Sequence, residues 1–448
     1  MNTLAQIAAQ LQGYDPQAMT AGGVQDFLAR LVTPVREVLE LPLFEALGRV
    51  LAADVVSPFD VPPHDNSAMD GFAFDGAQLA PGAALDLQVV GTALAGKAWQ
   101  GRVLPGQCVK IMTGAVMPAG LDTVVPQEFV QLHQTGERET ITIPADLLRL
   151  GDNRRLRGED LMQGKAALQK GELLTPARLG LAASLGLKTL TTWRPLRVAY
   201  FSTGDEILSL GEAPREGAVY DSNRYTVFGL LSRLGCQVID MGVVRDEPAL
   251  LEAAFTNAAR QADAIITSGG VSVGEADYTK AMMKKLGDVA FWRIAMRPGR
   301  PMAVGRISSI KLAACASDTC ADSYENSSNQ PGAVLFGLPG NPVAVMVTFL
   351  AFVRPALLQM MGARPEPLPL LKARSLEVIR KKPGRTEYQR GRVAAAPDGS
   401  LQVRTTGSQG SGVLRSMAEA NGLIVLHHGQ GNVAVGDEVD VMMFDGAM

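Results

Sequence analysis

The sequence predicts a multidomain α/β plus β protein, with a doubly wound α/β domain, a β-rich domain inserted towards the N-terminus and a C-terminal β-barrel-like domain. Three observations carry this. From Pro195 onwards short apolar runs alternate with helix-like stretches, the spacing of a parallel sheet with crossover helices. Residues 54–149 break into short β-type runs separated by Gly and Pro, and so do residues 369–448. A chain of 448 residues, 47% of them hydrophobic, is long enough for roughly three packed domains.

The elements follow in order. Val24, Phe27, Leu28 and Leu31, then Val35, Val38 and Leu39, recur at helical spacing, so a helical segment is expected over 1–53. Runs such as 85–91 and 108–112 read as strands of the inserted β-rich domain, 54–149. A charged turn at 152–160 precedes 173–187, where Thr175-Pro176 and Gly186 mark a helix start and stop. That return to helix makes 1–53 and 150–194 one discontinuous domain. The α/β domain, 195–368, contains strands at 197–202, 237–243, 264–267 and 334–338. Helices are expected at 222–234, 247–259 and 277–286. Asn341 as N-cap and Pro342 at the first helical position open an apolar helix that ends near Gly362. Between Ser308 and Gly332 a polar tract is too hydrophilic to pack and is expected to be a mobile loop. The remainder, 369–448, fits a small barrel or sandwich.

Bulk charge excludes some classes. A net charge of −3 argues against a general nucleic-acid binder, which would carry a basic surplus. The first residues lack a basic stretch followed by an apolar core, and no run of about eighteen uninterrupted apolar residues occurs, so no membrane is expected and the cytoplasm is the expected location. Cys108, Cys236, Cys315 and Cys320 are too few and scattered for a disulfide framework. Cys315 and Cys320 lack a second ligand pair, which argues against zinc.

In a parallel α/β sheet, ligands bind beyond the carboxyl ends of the strands. Four turns lie there: Ser202-Thr203-Gly204-Asp205-Glu206, Val244-Arg245-Asp246-Glu247, the glycine-rich run from Ser268 to Asp277, and Leu338-Pro339-Gly340-Asn341-Pro342. The glycines of this run, Gly269 and Gly270 among them, let backbone N–H groups converge on an oxyanion, or else serve tight strand-to-helix packing. Asp277 supplies a carboxylate beside them. Acidic residues next to phosphate-binding backbone call for a cation, and Mg2+ bound through a few of these carboxylates plus substrate phosphate oxygens is the simplest choice. The alternative is that Asp205 and Asp246 are turn or cap residues. Arg293, Arg297 and Arg300 surround a Pro-Gly-stiffened turn that is either a rigid oxyanion clamp or a solvated turn. Polar stretches around Arg390 and Ser411 are either surface or the completion of an oxyanion pocket. The loop 62–71 is dense in turn formers. Its Asp65, Asn66 and Asp70 are Asx-turn residues, or reach a site assembled from another segment or subunit. His64 is read as a turn residue.

Taken together these motifs resemble the MoeA family of molybdopterin molybdenumtransferases, whose relatives include the E domain of gephyrin. The carriers are Asp65 to Gly71, Met112-Thr113-Gly114, Arg157-Gly158-Glu159-Asp160, Ser202 to Glu206, Asp221-Ser222-Asn223-Arg224, Ser268 to Lys280, and Leu338 to Pro342. The resemblance implies an elongated four-domain homodimer with a MogA-like α/β domain. It places the active cleft between that domain of one subunit and the N-terminal β-rich region of the other, which would give Asp70, Thr113 and Asp160 a part in the reaction. The implied reaction inserts molybdate into adenylylated molybdopterin and releases AMP, with Mg2+ assisting. Ser268 to Ser272 would hold pterin phosphate. Glu206, Asp246 and Asp277 would organise the metal. Arg293, Arg297, Pro339, Pro342, Arg390 and Ser411 would line the molybdate side. One departure is that Arg297 and Arg300 stand where members often carry lysines, which keeps the charge but alters reach and rigidity. The other is the polar tract, longer than the usual connection and expected to be dispensable. Two other functions compete: a molybdopterin adenylyltransferase, which the extra β regions disfavour, and a molybdopterin-binding carrier or scaffold without turnover, which the acidic site positions disfavour. A molybdopterin adenylyltransferase and molybdoenzyme maturation factors are the partners expected on either side of the step.

Overall fold

The computed structural model describes residues 3–271, 278–308 and 332–445. Ser272, Asp277 and the polar tract from 309 to 331 lie outside the described residues. The chain divides into two units, one of Met1–Ala52, Gly171–Thr175 and Thr191–Met448, the other of Ala53–Lys170 and Pro176–Leu190.

The Ala53–Lys170 unit is built on a six-stranded sheet in the order Thr123–Pro126, Gly71–Phe74, Gln107–Ile111, Leu85–Ala93, Arg138–Ile143, Gln131–Thr135. Alternation along Gly71–Phe74 explains its two cores. Phe72 and Phe74 pack with Leu87, Val125 and Ile141 on one face, and Ala73 packs with Val109, Ile111 and Val124 on the other. Gly71 is required where this strand meets its neighbour, because a Cβ there would lie 1.9 Å from the Val125 carbonyl oxygen. The helix expected at 173–187 is present as Pro176–Ser184.

In the other unit, helix Ala21–Leu31 buries Val24, Phe27, Leu28 and Leu31 on one face, the stripe visible in the sequence. Phe27 meets Trp292 edge to face at 4.8 Å. The helix expected to continue through Val35, Val38 and Leu39 does not. Val38–Pro42 is a strand, its Glu40 accepting a hydrogen bond from Thr191 Oγ1. Pro34 and Pro42 bracket the segment and oppose helix, and Val38 and Leu39 point outwards, so the 3–4 spacing there marks no buried stripe. Residues 48–52 form a ribbon with two flanking segments of the same unit. Gly48 N–H donates to Leu174 O, Leu51 N–H to Glu172 O, Gly171 N–H to Leu51 O, Ala52 N–H to Thr191 O and Trp193 N–H to Val50 O.

The α/β domain has the expected parallel strands, with an antiparallel edge that the sequence did not announce. The sheet runs Gln237–Val244, Arg197–Thr203, Ala264–Ser268, Ala333–Leu338, Pro301–Ile307, Gly287–Arg293, with the first four strands parallel. The last two pair antiparallel with their neighbours. Arg194 and Asp263 anchor the start of the central strand. The guanidinium donates to both carboxylate oxygens at 2.7 and 2.8 Å, and Arg197 N–H adds a third bond to the same carboxylate at 2.8 Å. The apolar helix after Pro342 consists of Pro342–Thr348, a π-helical segment Phe349–Val353 and Arg354–Met360. It is long and apolar enough to cross a membrane, but 72% of its most hydrophobic window is buried inside the protein, so it is a core helix.

The C-terminal strands Thr386–Ala395, Leu401–Thr405, Leu370–Ser375, Glu438–Met443 and Gly422–Leu426 close on themselves through a pairing of the first with the last, a five-stranded barrel around Val403, Ile424, Leu426, Val439 and Val441.

Cys108 and Cys236 are the free thiols among the described residues, and burial pushes both up to about 12. Both are therefore expected to resist iodoacetamide in the native protein at pH 8 and to label fully in denaturant, as read by mass spectrometry of the two peptides.

Candidate functional site

Strand register brings the predicted turns to one level edge. Ser202 pairs with both Val243 and Ser268, and Ser268 pairs with Leu338, so four parallel strands finish side by side. Each turn is tied to the next. Asp205 Oδ1 accepts the Asp246 N–H at 3.4 Å, and Thr279 Oγ1, from helix Tyr278–Leu286, donates to Asp246 Oδ1 at 3.3 Å. Gly269 N–H donates to Leu338 O at 3.2 Å, and Asn223 Nδ2 donates to Gly340 O at 2.7 Å. Finally Val343 N–H, in the first turn of the Pro342 helix, donates to Ser411 O at 3.1 Å.

The glycines in these turns are needed as glycines. Gly269 has φ +92° and Gly270 φ +64°; a Cβ on Gly269 would lie 2.4 Å from Thr203 O, and one on Gly270 2.5 Å from Thr279 Cβ. The Glu206 carboxylate folds back over Gly204, 2.5 Å from where that residue's Cβ would be. Asp205 and Glu206 are exposed and Asp246 is half-buried.

Behind the edge lies a buried hydroxyl cluster that sequence reasoning missed. Tyr200 OH is 2.9 Å from Ser202 Oγ and 2.7 Å from Ser268 Oγ, and the two serine oxygens are 3.1 Å apart. Ser268 therefore turns its side chain into the protein and offers the edge its backbone. Burial raises the Tyr200 pKa and keeps the phenol neutral. The signal was present: Tyr200 and Ser202, two apart on a strand, share a face. Thr203, Asp221 and Asn223 are buried at the same end of the domain. Thr203 Oγ1, Asp221 Oδ2 and Asn223 Oδ1 have no hydrogen-bond partner among the described residues. Buried polar atoms are nearly always satisfied, so these three are candidates for a ligand or ordered water.

Arg293, Arg297 and Arg300 are all exposed. The turn between the last two is held by Gly299, whose φ of +92° admits no Cβ because Thr348 Oγ1 would be 2.4 Å away. Met296–Arg297 pairs in parallel with Thr386 and Glu387 of the barrel, which brings the arginine turn to the C-terminal domain. Arg390, by contrast, is 1% exposed. Its Nε donates to Ser416 Oγ at 3.0 Å and its Nη2 to Ser408 O and Gly410 O at 3.1 and 3.0 Å. Burial, with repulsion from Arg297, pulls its pKa down to about 10. Pro339 is buried and Pro342 half-buried.

The magnesium expectation rests on a donor set the described residues do not complete. Among them no three His, Cys, Asp or Glu side chains gather as a metal site, and Asp277 lies outside them. Glu206 and Asp246 are hard oxygen donors of the type Mg2+ takes.

In the Ala53–Lys170 unit, three separated motifs converge on each other. Asp70 Oδ1 accepts from Thr113 N–H at 2.6 Å and from Thr113 Oγ1 at 2.8 Å, bonds that hold its carboxyl below the usual range. Asp65 is more than an Asx-turn residue. Its carboxylate accepts from Arg157 N–H at 2.8 Å and lies 3.6 Å from the Arg154 guanidinium. Asn66 and Ser67 pair with Arg155 and Arg154. Asp160 N–H donates to Val61 O at 3.0 Å, leaving its exposed carboxylate at the rim of the same cluster. His64 is exposed and belongs to no metal-binding group among the described residues.

Three family models tile the chain: MoeA N-terminal region (domain I and II) at residues 22–186, Probable molybdopterin binding domain at 199–359, and MoeA C-terminal region (domain IV) at 372–444. A curated relative from Haemophilus influenzae, named molybdopterin molybdenumtransferase, is 40% identical over 90% of this chain and 93% of its own. The chain belongs to the MoeA family. Another relative of that name, from Nostoc, is 34% identical over 89% of this chain and 87% of its own. The crystal structure of a molybdopterin biosynthesis MoeA protein from Pyrococcus horikoshii superposes with a TM-score of 0.75 at 25% identity, covering 95% of this chain and all of that one. MoeA proteins bearing this name are enzymes, and the level edge, the arginine turn and the Asp65–Asp70 cluster all lie within the three matched regions.

Proposed function

We propose that this MoeA chain is a molybdopterin molybdenumtransferase that inserts molybdate into adenylylated molybdopterin and releases AMP. The observation that carries the reading is the level strand edge, where glycine turns that exclude side chains adjoin three buried polar atoms lacking partners among the described residues. Gly269 and Gly270 keep the turn clear of side chains, so that phosphate oxygens can approach its backbone, the Gly269 N–H itself being held by Leu338 O. Arg297 and Arg300 provide fixed forks for a tetrahedral oxyanion, and Arg390 shapes the 408–411 segment beside it. Glu206 and Asp246, with Asp277, are the residues that would hold Mg2+, which when bound would neutralise charge on the phosphoanhydride. Positioning and charge neutralisation can carry such a cleavage without a covalent nucleophile.

The test is AMP release from adenylylated molybdopterin, with and without molybdate and Mg2+, together with transfer of active cofactor to an apo-enzyme. Release that requires both ions and delivers cofactor is expected. Tight pterin binding without turnover would make the chain a carrier instead. The substrate calls for a molybdopterin adenylyltransferase upstream and the product for molybdoenzyme maturation downstream, both placed here in the cytoplasm.

A homodimer is part of the proposal. An apolar surface stretch supports it, with Phe44 fully exposed and Val38 and Leu47 each 54% exposed. Phe44→Glu is expected to convert a sedimenting dimer into a monomer; a wild-type chain that sediments as a monomer at micromolar concentration would end this part of the reading.

A further inference from the structure

Beside the barrel, Arg380, Lys381, Lys382, Pro383, Arg385 and Asn432 line with Arg297 an open cavity of about 400 Å3. Its polar lining is Arg297, Arg380, Lys381, Lys382, Arg385 and Asn432. Arg385 is neutralised by Glu387, 2.7 Å away and itself 2% exposed. The other four cations are not neutralised in this way. Arg297, Arg380 and Lys382 are exposed and have no ion-pair partner among the described residues. Lys381 is 4% exposed, its ammonium fixed by the Lys382 and Gln430 carbonyls at 2.8 and 3.1 Å. Asn432 Oδ1 is committed to Lys381 N–H at 2.9 Å, which leaves its Nδ2 donors for the cavity. Every polar side chain lining the space is thus a donor or a cation, and Pro383 completes the wall.

We propose that this cavity binds a diphosphate-class polyanion. A ligand that only accepts hydrogen bonds matches a wall that only donates them. A phosphoryl group carries about −1.5 to −2 at neutral pH, so four cations match two adjoining phosphoryl groups better than one. The volume also exceeds what a single tetrahedral oxyanion fills. Arginine forks and a half-fixed lysine favour phosphate geometry over a lone carboxylate. The site is formed by the barrel and does not depend on the insertase reading; Arg297 alone belongs to both sets of residues.

The experiment is calorimetric titration of the full chain with inorganic pyrophosphate, ADP, inorganic phosphate and molybdate. The probe variants are R380A/K382A and, as a charge-matched control on the same barrel, R392A/R404A. All four positions are exposed, so folding should survive, and thermal melting checks it. One pyrophosphate per chain is expected, weakened about tenfold or more in R380A/K382A and unchanged in the control, with phosphate weaker throughout. ADP binding as tightly as pyrophosphate and losing the same factor would identify the diphosphate as part of a nucleotide; pyrophosphate binding alone would identify it as free. The proposal is overturned by the absence of saturable pyrophosphate binding, by equal weakening in the control, or by molybdate matching pyrophosphate in the same site.

Discussion

Gly269→Ala is expected to lower molybdate-dependent AMP release by about 100-fold or more, the penalty of a displacement of about 1 Å in a positioned site. The reason is local. Gly269 adopts φ +92°, a region that costs a side-chain-bearing residue about 1–2 kcal/mol, and its Cβ would meet the Thr203 carbonyl oxygen at 2.4 Å. Relief requires the Ser268–Gly270 turn and the Thr203–Gly204 turn to move apart, and both belong to the level edge. Thermal unfolding should fall with the rate, though by less. Gly340→Ala is the matched control. It is exposed, lacks a positive φ, and its Cβ would sit 3.9 Å from Gly269 Cα in ordinary contact, so a small effect is expected. If Gly269→Ala turned over at the wild-type rate, the glycine turn would not be the phosphate site.

Arg390 carries the second large effect. Its buried guanidinium spans Ser408 O, Gly410 O and Ser416 Oγ, and the segment it holds presents Ser411 O to the Val343 N–H at the start of the Pro342 helix. Arg390→Met would leave two carbonyls and a hydroxyl without their charged partner, at a cost of about 3 kcal/mol in denaturant unfolding. Arg390→Lys keeps the charge but cannot reproduce the fork, so the protein should fold while molybdate-dependent AMP release falls about 100-fold. A rise in the molybdate KM with little change in kcat would instead assign Arg390 to binding alone. Unchanged kinetics in Arg390→Lys would sink the link between this loop and the oxyanion side.

The parallel core was legible because a strand buried on both faces leaves continuous apolar runs, as in Ala264 to Thr267, and because Pro and Asn at 341–342 announce a helix start. The antiparallel pair Gly287–Arg293 and Pro301–Ile307 was not. Its strands alternate only weakly, and the eye is drawn to the arginines between them. Val38–Pro42 was misread since spacing alone cannot say which residues face inwards. The candidate site was legible as a set of turns, each placed by the strand it follows, and Asp65, Asp70 and Thr113 were visible as motifs. Their mutual contacts were not, because a bond such as Thr113 to Asp70 joins residues far apart in the chain. Tyr200 was hidden by its apolar neighbours, and the buried state of Arg390 could not be told from a surface arginine by composition.

The ribbon at 48–52 has a bearing on how the chain reaches this state. All four passages between the two units, after Ala52, Lys170, Thr175 and Leu190, begin or end at its three segments. Pairing Leu51 with Gly171 before the intervening residues are ordered means closing a very long flexible loop, and that entropy grows with loop length. Once Ala53–Lys170 has folded on its own sheet, the same pairing closes only short tails. The inserted unit is therefore expected to gain amide protection first during refolding, with the ribbon and the strands that depend on it following, so that the middle of the chain leads and its two ends wait.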